Sequence, residues 1–182
     1  MDIGLVVRAQ RGDRTAFGLI ATEIADRLLA VARRILRDLD LAEDATQQAL
    51  LAIWQDLPRL RDPARFDAWS YRLLVRACYE EHRRLRRWAP NLRVLPVESQ
   101  IPDDELGSVV DRDQLERGFR RLTIDHRIVV VLHHYLDLPL DRVADILGIP
   151  VGTAHSRLHN AMRGLRAALD ADARPATQEA AQ

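Results

Sequence analysis

Lysine is absent from the chain, so every one of its 27 basic residues is an arginine. Cysteine occurs once, at Cys78, which excludes an internal disulfide and fits a reducing compartment. Aromatic residues supply 5% of the 182 positions and apolar residues 47%, so aliphatic side chains must fill the cores. No apolar run approaches the ~20 residues of a membrane span, so no membrane insertion is expected. The opening MDIGLVVRAQRGD has an acid at position two and no long apolar core, so it is not a secretory signal, and a cytoplasmic protein is expected. A phosphate-binding glycine loop, a strand pattern and an internal repeat are missing too.

Net charge is zero, but the average hides a segregation. Residues 1–58 carry 7 arginines against 9 acids, and residues 59–95 carry 10 against 4. Residues 96–116 reverse this with 1 against 7, and residues 117–169 return to 8 against 4. Two basic blocks flanking an acidic one point to separate partners for separate segments.

The periodicity is helical throughout. Asp13 is placed to cap a helix reaching about Leu36, with Phe17, Ile20, Ile24, Leu28, Val31 and Ile35 along one side. Asp40, with Glu43 three residues on, is expected to open the next helix through a capping box. That helix has a broad apolar arc of Ala42, Thr46, Ala49, Leu50, Ile53, Trp54 and Leu57. Its narrower face of Asp44, Gln48, Leu51 and Gln55 suits docking against another helix, although a plain polar surface is the simpler reading of the residues alone. Asp62-Pro63 starts a helix to about Arg87, whose expected buried side is Phe66, Ser70, Leu73, Leu74 and Ala77. Beside it runs a stripe of Arg65, Trp69, Arg72, Arg76, Tyr79 and Arg83. Cations track phosphates and rings stack on unpaired bases, so this stripe points to nucleic acid rather than to an ordinary solvated face.

The helical period lapses over Pro90, Pro96 and Pro102, which reads as an acidic linker. It resumes with a helix from about Asp111 to Leu122 and another, capped by Thr123, to about Leu136. There Ile128, Val129, Val131, Leu132 and Tyr135 form the expected apolar side.

Residues 140–169 then read as a helix-turn-helix: Val143, Ala144 and Leu147 on the first helix, Gly148 as a left-handed stop, and Pro150 barring continuation. Small Ala144 allows close approach, and Ile149 plugs the corner. Ala154, Leu158, Ala161, Leu165 and Leu169 line the inner side of the second helix. Ser156, His159, Asn160 and Arg163 lie opposite, flanked by His155, Arg157 and Arg166, with no carboxylate before Asp170. Such groups pair with base edges and phosphates; the competing reading of this segment is an amphipathic hairpin.

Other constellations carry less. His155 and His159 share the spacing of a metal pair, but no third ligand is evident, and no cofactor or metal is expected. Adjacent His133 and His134 should point apart and serve packing or surface. Cys78 near His82 lacks an oxyanion hole and an orienting acid, so it reads as a core cysteine, and the chain is not expected to be an enzyme.

The ordered blocks AEDATQQALLAIW, FDAWSYRLL, RLTIDHRIVVVLHHYLDLPLDRVADILG and GTAHSRLHNA resemble the signatures of a bacterial sigma factor of the sigma-70 family, extracytoplasmic-function (ECF) group. The resemblance implies an all-α fold of two small helical domains joined by an extended acidic linker. Residues 1–88 would form a region 2-like domain, 89–110 the linker, 111–170 a region 4-like domain with the helix-turn-helix, and 171–182 a flexible tail. It implies core RNA polymerase and promoter DNA as partners, and makes an anti-sigma factor a further candidate. Asp44, Gln47, Gln48 and Leu51 would dock on the polymerase clamp helices. The Arg65–Arg83 stripe would face the minus-ten region, with Leu60–Ala64 able to hold a flipped-out base. Thr153, His155, Ser156, Arg157, His159, Asn160 and Arg163 would bind the minus-thirty-five element.

Three positions depart from the family pattern: Ala77, near which asparagine is common; His155, where lysine is frequent; and Asn160, where arginine is frequent. The last two weaken phosphate attraction. The alternative expectations are a stand-alone dimeric helix-turn-helix regulator, which needs a palindromic operator, and a helical adaptor with no salt-dependent DNA affinity.

Overall fold

The computed structural model describes residues 1–88 and 116–173, which are helical between short turns, with no strand among them. The expected linker, the start of the helix after it and the tail beyond Ala173 lie outside the described residues. The chain divides into two compact units with the main boundary at Ser99–Gln100.

In the first unit, α1 (Ile3–Gln10) is capped by Asp2 and stops before Gly12, whose φ of 93° only glycine adopts readily. Asp13 then caps α2 (Arg14–Leu36), as expected, accepting from the Ala16 amide at 3.0 Å. That bond, with the Arg8 guanidinium 2.7 Å away, holds the Asp13 carboxyl below the usual carboxylate range. Ile20, Ile24, Leu28, Val31 and Ile35 are fully buried.

Asp40 does not open α3 (Leu39–Asp56): Asp38 does, accepting from the Leu41 amide at 2.9 Å. Asp40 lies inside the first turn, where a carboxylate meets the helix dipole instead of capping. The expected arc packs at Ala42, Thr46, Ala49, Ile53 and Leu57, but Leu50 is half-buried and Trp54 lies at the rim, its ring 4.6 Å from Phe17. Two 3₁₀ turns, Leu57–Arg59 and Pro63–Arg65, lead to α4 (Phe66–Trp88). Phe66, Ser70, Leu74 and Ala77 are buried there, with Tyr71, Val75, Cys78 and Glu81, while Leu73 is half-buried. Burial pushes the Cys78 thiol up to about 12, so it stays protonated and serves as core.

In the second unit, α5 is described over 116–121, and Thr123 caps α6 (Ile124–Val130). The helix does not continue in α register to Leu136. A π turn, Val131–Tyr135, inserts, with the Leu136 amide bonding the Val131 carbonyl at 3.2 Å. The extra residue rotates the stripe, so Tyr135 is exposed instead of packed beneath the helix-turn-helix. His133 and His134 do not diverge: their rings sit 4.7 Å apart, and His133 Nδ1 meets the Leu138 carbonyl at 2.7 Å.

The helix-turn-helix is α7 (Leu140–Leu147), Gly148 at φ 66°, and α8 (Val151–Ala173). Val143, Ala144 and Ala154 are buried at the corner, whereas Ile149 plugs it only partly. Helix α8 runs three residues into the expected tail. Leu122, Val130, Ala161 and Leu165 form a core, edged by Phe119, Leu158 and Met162. A side chain at Gly118 would press to 3.2 Å from Leu165, so this glycine permits the close approach of α5 and α8. Leu158 and Leu169 are half-buried, not core.

That difference is measurable by thermal unfolding of the full chain. Leu165→Ala should cost about 2–5 kcal/mol through a cavity, and Leu158→Ala roughly half of that at most, since water already reaches it. A larger loss at Leu158 would contradict this packing.

Candidate nucleic-acid and protein-docking surfaces

Three surfaces carry the sequence-predicted residues. On α3, Gln47 and Leu51 are outward, Leu51 being 56% exposed. Trp54, one turn on and 36% exposed, extends this face with an aromatic ring that the apolar periodicity had assigned to the core. Asp44 and Gln48 are differently placed. The Gln48 amide donates to Glu81 Oε1 on α4, and Asp44 accepts from Arg84 at 2.7 Å. Both therefore tie α3 to α4 rather than stand clear of it.

Glu81 is the centre of that tie, its side chain 2% exposed. Its Oε2 lies 2.9 Å from Arg84 Nη2 in an ion pair too poorly aligned to count as a hydrogen bond. An unpaired buried carboxylate is costly, so Gln48 and Arg84 hold it in place. Neither Glu81 nor Arg84 was anticipated, although Leu74, Ala77, Cys78 and Glu81 follow one helical row.

On α4 the stripe is laid out as its spacing implied. Arg65, Arg72, Arg76 and Arg83 are exposed, and Trp69 and Tyr79 are half-buried. Trp69 leans on Phe66 with ring centroids 6.0 Å apart. Two arginines have local acids: Arg76 bonds Glu80 at 3.1 Å and Arg65 lies 3.8 Å from Asp62. Ala77 is buried at the floor of an open groove between α3 and α4, beside Ala52 and Leu73. Gln48 and Arg76 both line that groove, so the α3 and α4 faces adjoin along it. The preceding loop is braced from α1, as Gln10 donates to the carbonyls of Leu57 and Leu60.

On α8, His155, Ser156, His159, Asn160 and Arg163 are exposed on one side and Thr153 is half-buried. Ser156 Oγ donates to the Thr153 carbonyl at 3.0 Å. Arg157 turns to Asp125 at 3.1 Å and pins α8 to the start of α6, in contrast to its expected place among the outward residues. Among the described residues, no group of three His, Cys, Asp or Glu side chains could hold a metal ion, and no helix is long and apolar enough to cross a membrane.

Comparison with known proteins matches Sigma-70 region 2 over residues 20–88 and Sigma-70, region 4, over residues 112–165. The ECF RNA polymerase sigma factor SigL of Mycobacterium tuberculosis is 32% identical over 150 residues, covering 81% of this chain and 85% of its own. The RNA polymerase sigma-E factor of Streptomyces coelicolor is 33% identical over 161 residues, covering 85% and 88%. The solved structure of CnrH in complex with the cytosolic domain of CnrY superposes with a TM-score of 0.69 at 25% identity, over 94% of this chain and 98% of that one.

The α3–α4 tie predicts unequal effects from two arginines on one helix. Arg84→Ala strips the buried carboxylate and should cost roughly 1–3 kcal/mol in chemical denaturation. Arg76→Ala removes a solvent-exposed pair and should leave the midpoint within error. Equal midpoints for the two variants would show that Glu81 does not need Arg84.

Proposed function

The chain belongs to the ECF RNA polymerase sigma factors of the sigma-70 family, and from that premise we propose which of its surfaces meets which partner. The protein binds core RNA polymerase and directs it to specific promoters at initiation. It works in the cytoplasm by binding and carries out no catalytic step. Residues 1–88 are the polymerase-docking and minus-ten domain, and residues 111–170 the minus-thirty-five domain. A stand-alone dimeric regulator is not favoured, because the matching relatives are polymerase sigma factors along most of their length.

Gln47 and Leu51, with Trp54 beside them, dock on the polymerase clamp helices. An exposed leucine and tryptophan one turn apart offer apolar area that water covers poorly and a partner helix covers well. Asp44 and Gln48 contribute mainly by holding the face in register. The stripe from Arg65 to Arg83 meets the minus-ten strand: its arginines follow phosphates, and Trp69 and Tyr79 offer ring faces to unstacked bases. The loop before α4, Leu60–Ala64, holds one such base. Thr153, His155, Ser156, His159, Asn160 and Arg163 read the minus-thirty-five duplex in the major groove. The similar structure of CnrH holds the cytosolic domain of CnrY, which supports a further protein partner, an anti-sigma factor, for this chain.

The observation that carries this reading is the adjoining of the two faces in one rigid helix pair, so that strand capture takes place beside the polymerase contact. Transcription in vitro with purified core polymerase, with and without the chain, on a genomic library tests it. Absence of chain-dependent start sites would overturn it.

Two substitutions sharpen the assignment. Leu51→Arg with Gln47→Arg should abolish binding to core polymerase while leaving circular dichroism unchanged, because both residues are exposed. Retained affinity would move the docking face elsewhere. On α8, Asn160→Ala should leave the melting temperature unchanged and relax preference at one upstream base pair by about 1–3 kcal/mol, the discrimination of an amide paired to adenine. Selection of randomised upstream elements reads this out, and an unaltered element with unaltered stringency would exclude Asn160 from base reading.

A further inference from the structure

Gln10 lies at the end of α1, ten residues before the start of the region 2 match. Its side-chain nitrogen sits 3.1 Å from the Leu57 carbonyl oxygen and 2.7 Å from that of Leu60. Two carbonyls can be satisfied together only by an amide NH2, so the donor end is the one that faces them. The two acceptors bracket the 3₁₀ turn Leu57–Arg59, whose internal bond runs from the Leu60 amide to the same Leu57 carbonyl at 3.1 Å. One side chain therefore spans the turn that delivers the chain to Leu60–Ala64.

Gln10 is itself held. Val6 and Ala9 on α1 are buried, α1 packs on both 3₁₀ turns, and Arg8 grips Asp13 at 2.7 Å across the bend into α2. At the far end of the loop Asp62 caps the second turn by accepting from the Ala64 amide at 3.0 Å. Pro58 and Pro63 restrict the backbone at each end. Between these fixtures Pro58, Arg59, Arg61 and Asp62 are exposed, so the loop has little packing of its own to hold a shape. A loop that must grip a base with useful discrimination has to be held near one geometry before the base arrives.

We propose that Gln10 is a positioning residue for promoter selectivity: it sets the conformation of the Leu57–Asp62 loop and so determines how strictly the base beside that loop is read. This rests on the reading of Leu60–Ala64 as the base-holding loop. It makes α1 a participant in selectivity without touching DNA. The structural cost of losing the bonds is small, because the buried Leu57 carbonyl keeps its bond from the Leu60 amide and Leu60 itself is only half-buried.

The test uses the full chain bound to core polymerase and pre-melted minus-ten probes carrying each base at each position. Gln10→Met keeps size and neutrality and removes both donors, and Arg61→Ala alters the loop directly. The expected result is that Gln10→Met lowers discrimination at one position roughly five-fold, the factor associated with one ordinary hydrogen bond. Arg61→Ala should act at that same position, and for Gln10→Met polymerase affinity, duplex affinity and melting temperature should stay as in the parent. If Arg61→Ala changes discrimination and Gln10→Met does not, the positioning role is wrong and the loop reading stands. If neither changes it, the loop reading fails and takes the role of Gln10 with it. A uniform loss on all probes together with a lowered melting temperature would reduce Gln10 to general stability.

Discussion

The carboxylate of Glu81 sets α3 against α4, and the two surfaces of the first unit depend on that register. A charge buried to 2% cannot be left without partners, so sliding α3 by one turn would strand it away from Gln48. Arg84 answers the same carboxylate at 2.9 Å and Asp44 at 2.7 Å, which keeps its guanidinium from swinging into water. The tie is directional where the surrounding aliphatic contacts are not. Leucines and alanines accept many sliding arrangements at similar energy, whereas a bridged carboxylate accepts few. The angle between Leu51 on one helix and the arginine stripe on the other is thereby fixed before either partner arrives.

The arginines also need a finer account than their number. Zero net charge coexists with two basic blocks, but several cations in those blocks are engaged within the chain. Glu80 lies on Arg76, Asp62 near Arg65, and Asp125 on Arg157. Exposed pairs of this kind add little stability, yet each lowers the field that a phosphate would feel. On the proposed reading, promoter affinity leans on the rings of the stripe and on the hydroxyl and amide groups of α8 more than a count of arginines suggests.

Much of this was legible in the residues. The helical periods located α2, α3, α4, α7 and α8, the capping by Asp13 and Thr123, and the glycine stop at Gly148. The stripe on α4 and, apart from Arg157, the outward side of α8 lie where the spacing put them, because spacing alone decides which residues of a long helix share a side. Three features escaped for distinct physical reasons. Asp38 and Asp40 are equally good caps by type, and only backbone dihedrals choose between them. The π turn at Val131–Tyr135 leaves no mark in an apolar run, so the rotation of Tyr135 into water was hidden. Gln48–Glu81 and Gln10–Leu57 join residues 33 and 47 positions apart, and no local pattern encodes such pairs.

If α8 reads promoter DNA as proposed, the modest basicity of its outward side suits a factor that works bound to polymerase. Phosphate attraction is independent of sequence, so a strongly cationic chain would spend its time on the genome at large. His155 and Asn160 carry no fixed guanidinium charge, while Arg157 is drawn off to Asp125. On the proposed reading, what remains on α8 favours reading bases over holding backbone. Such a surface binds weakly alone but gains once polymerase and a second reading domain are tethered to it, because the second contact is then intramolecular. Discrimination rises by this route, since a wrong sequence forfeits base contacts and has little electrostatic affinity to fall back on. On the proposed reading, a first unit held in register by a buried carboxylate couples polymerase to strand capture, and a second unit gains its selectivity within the assembly.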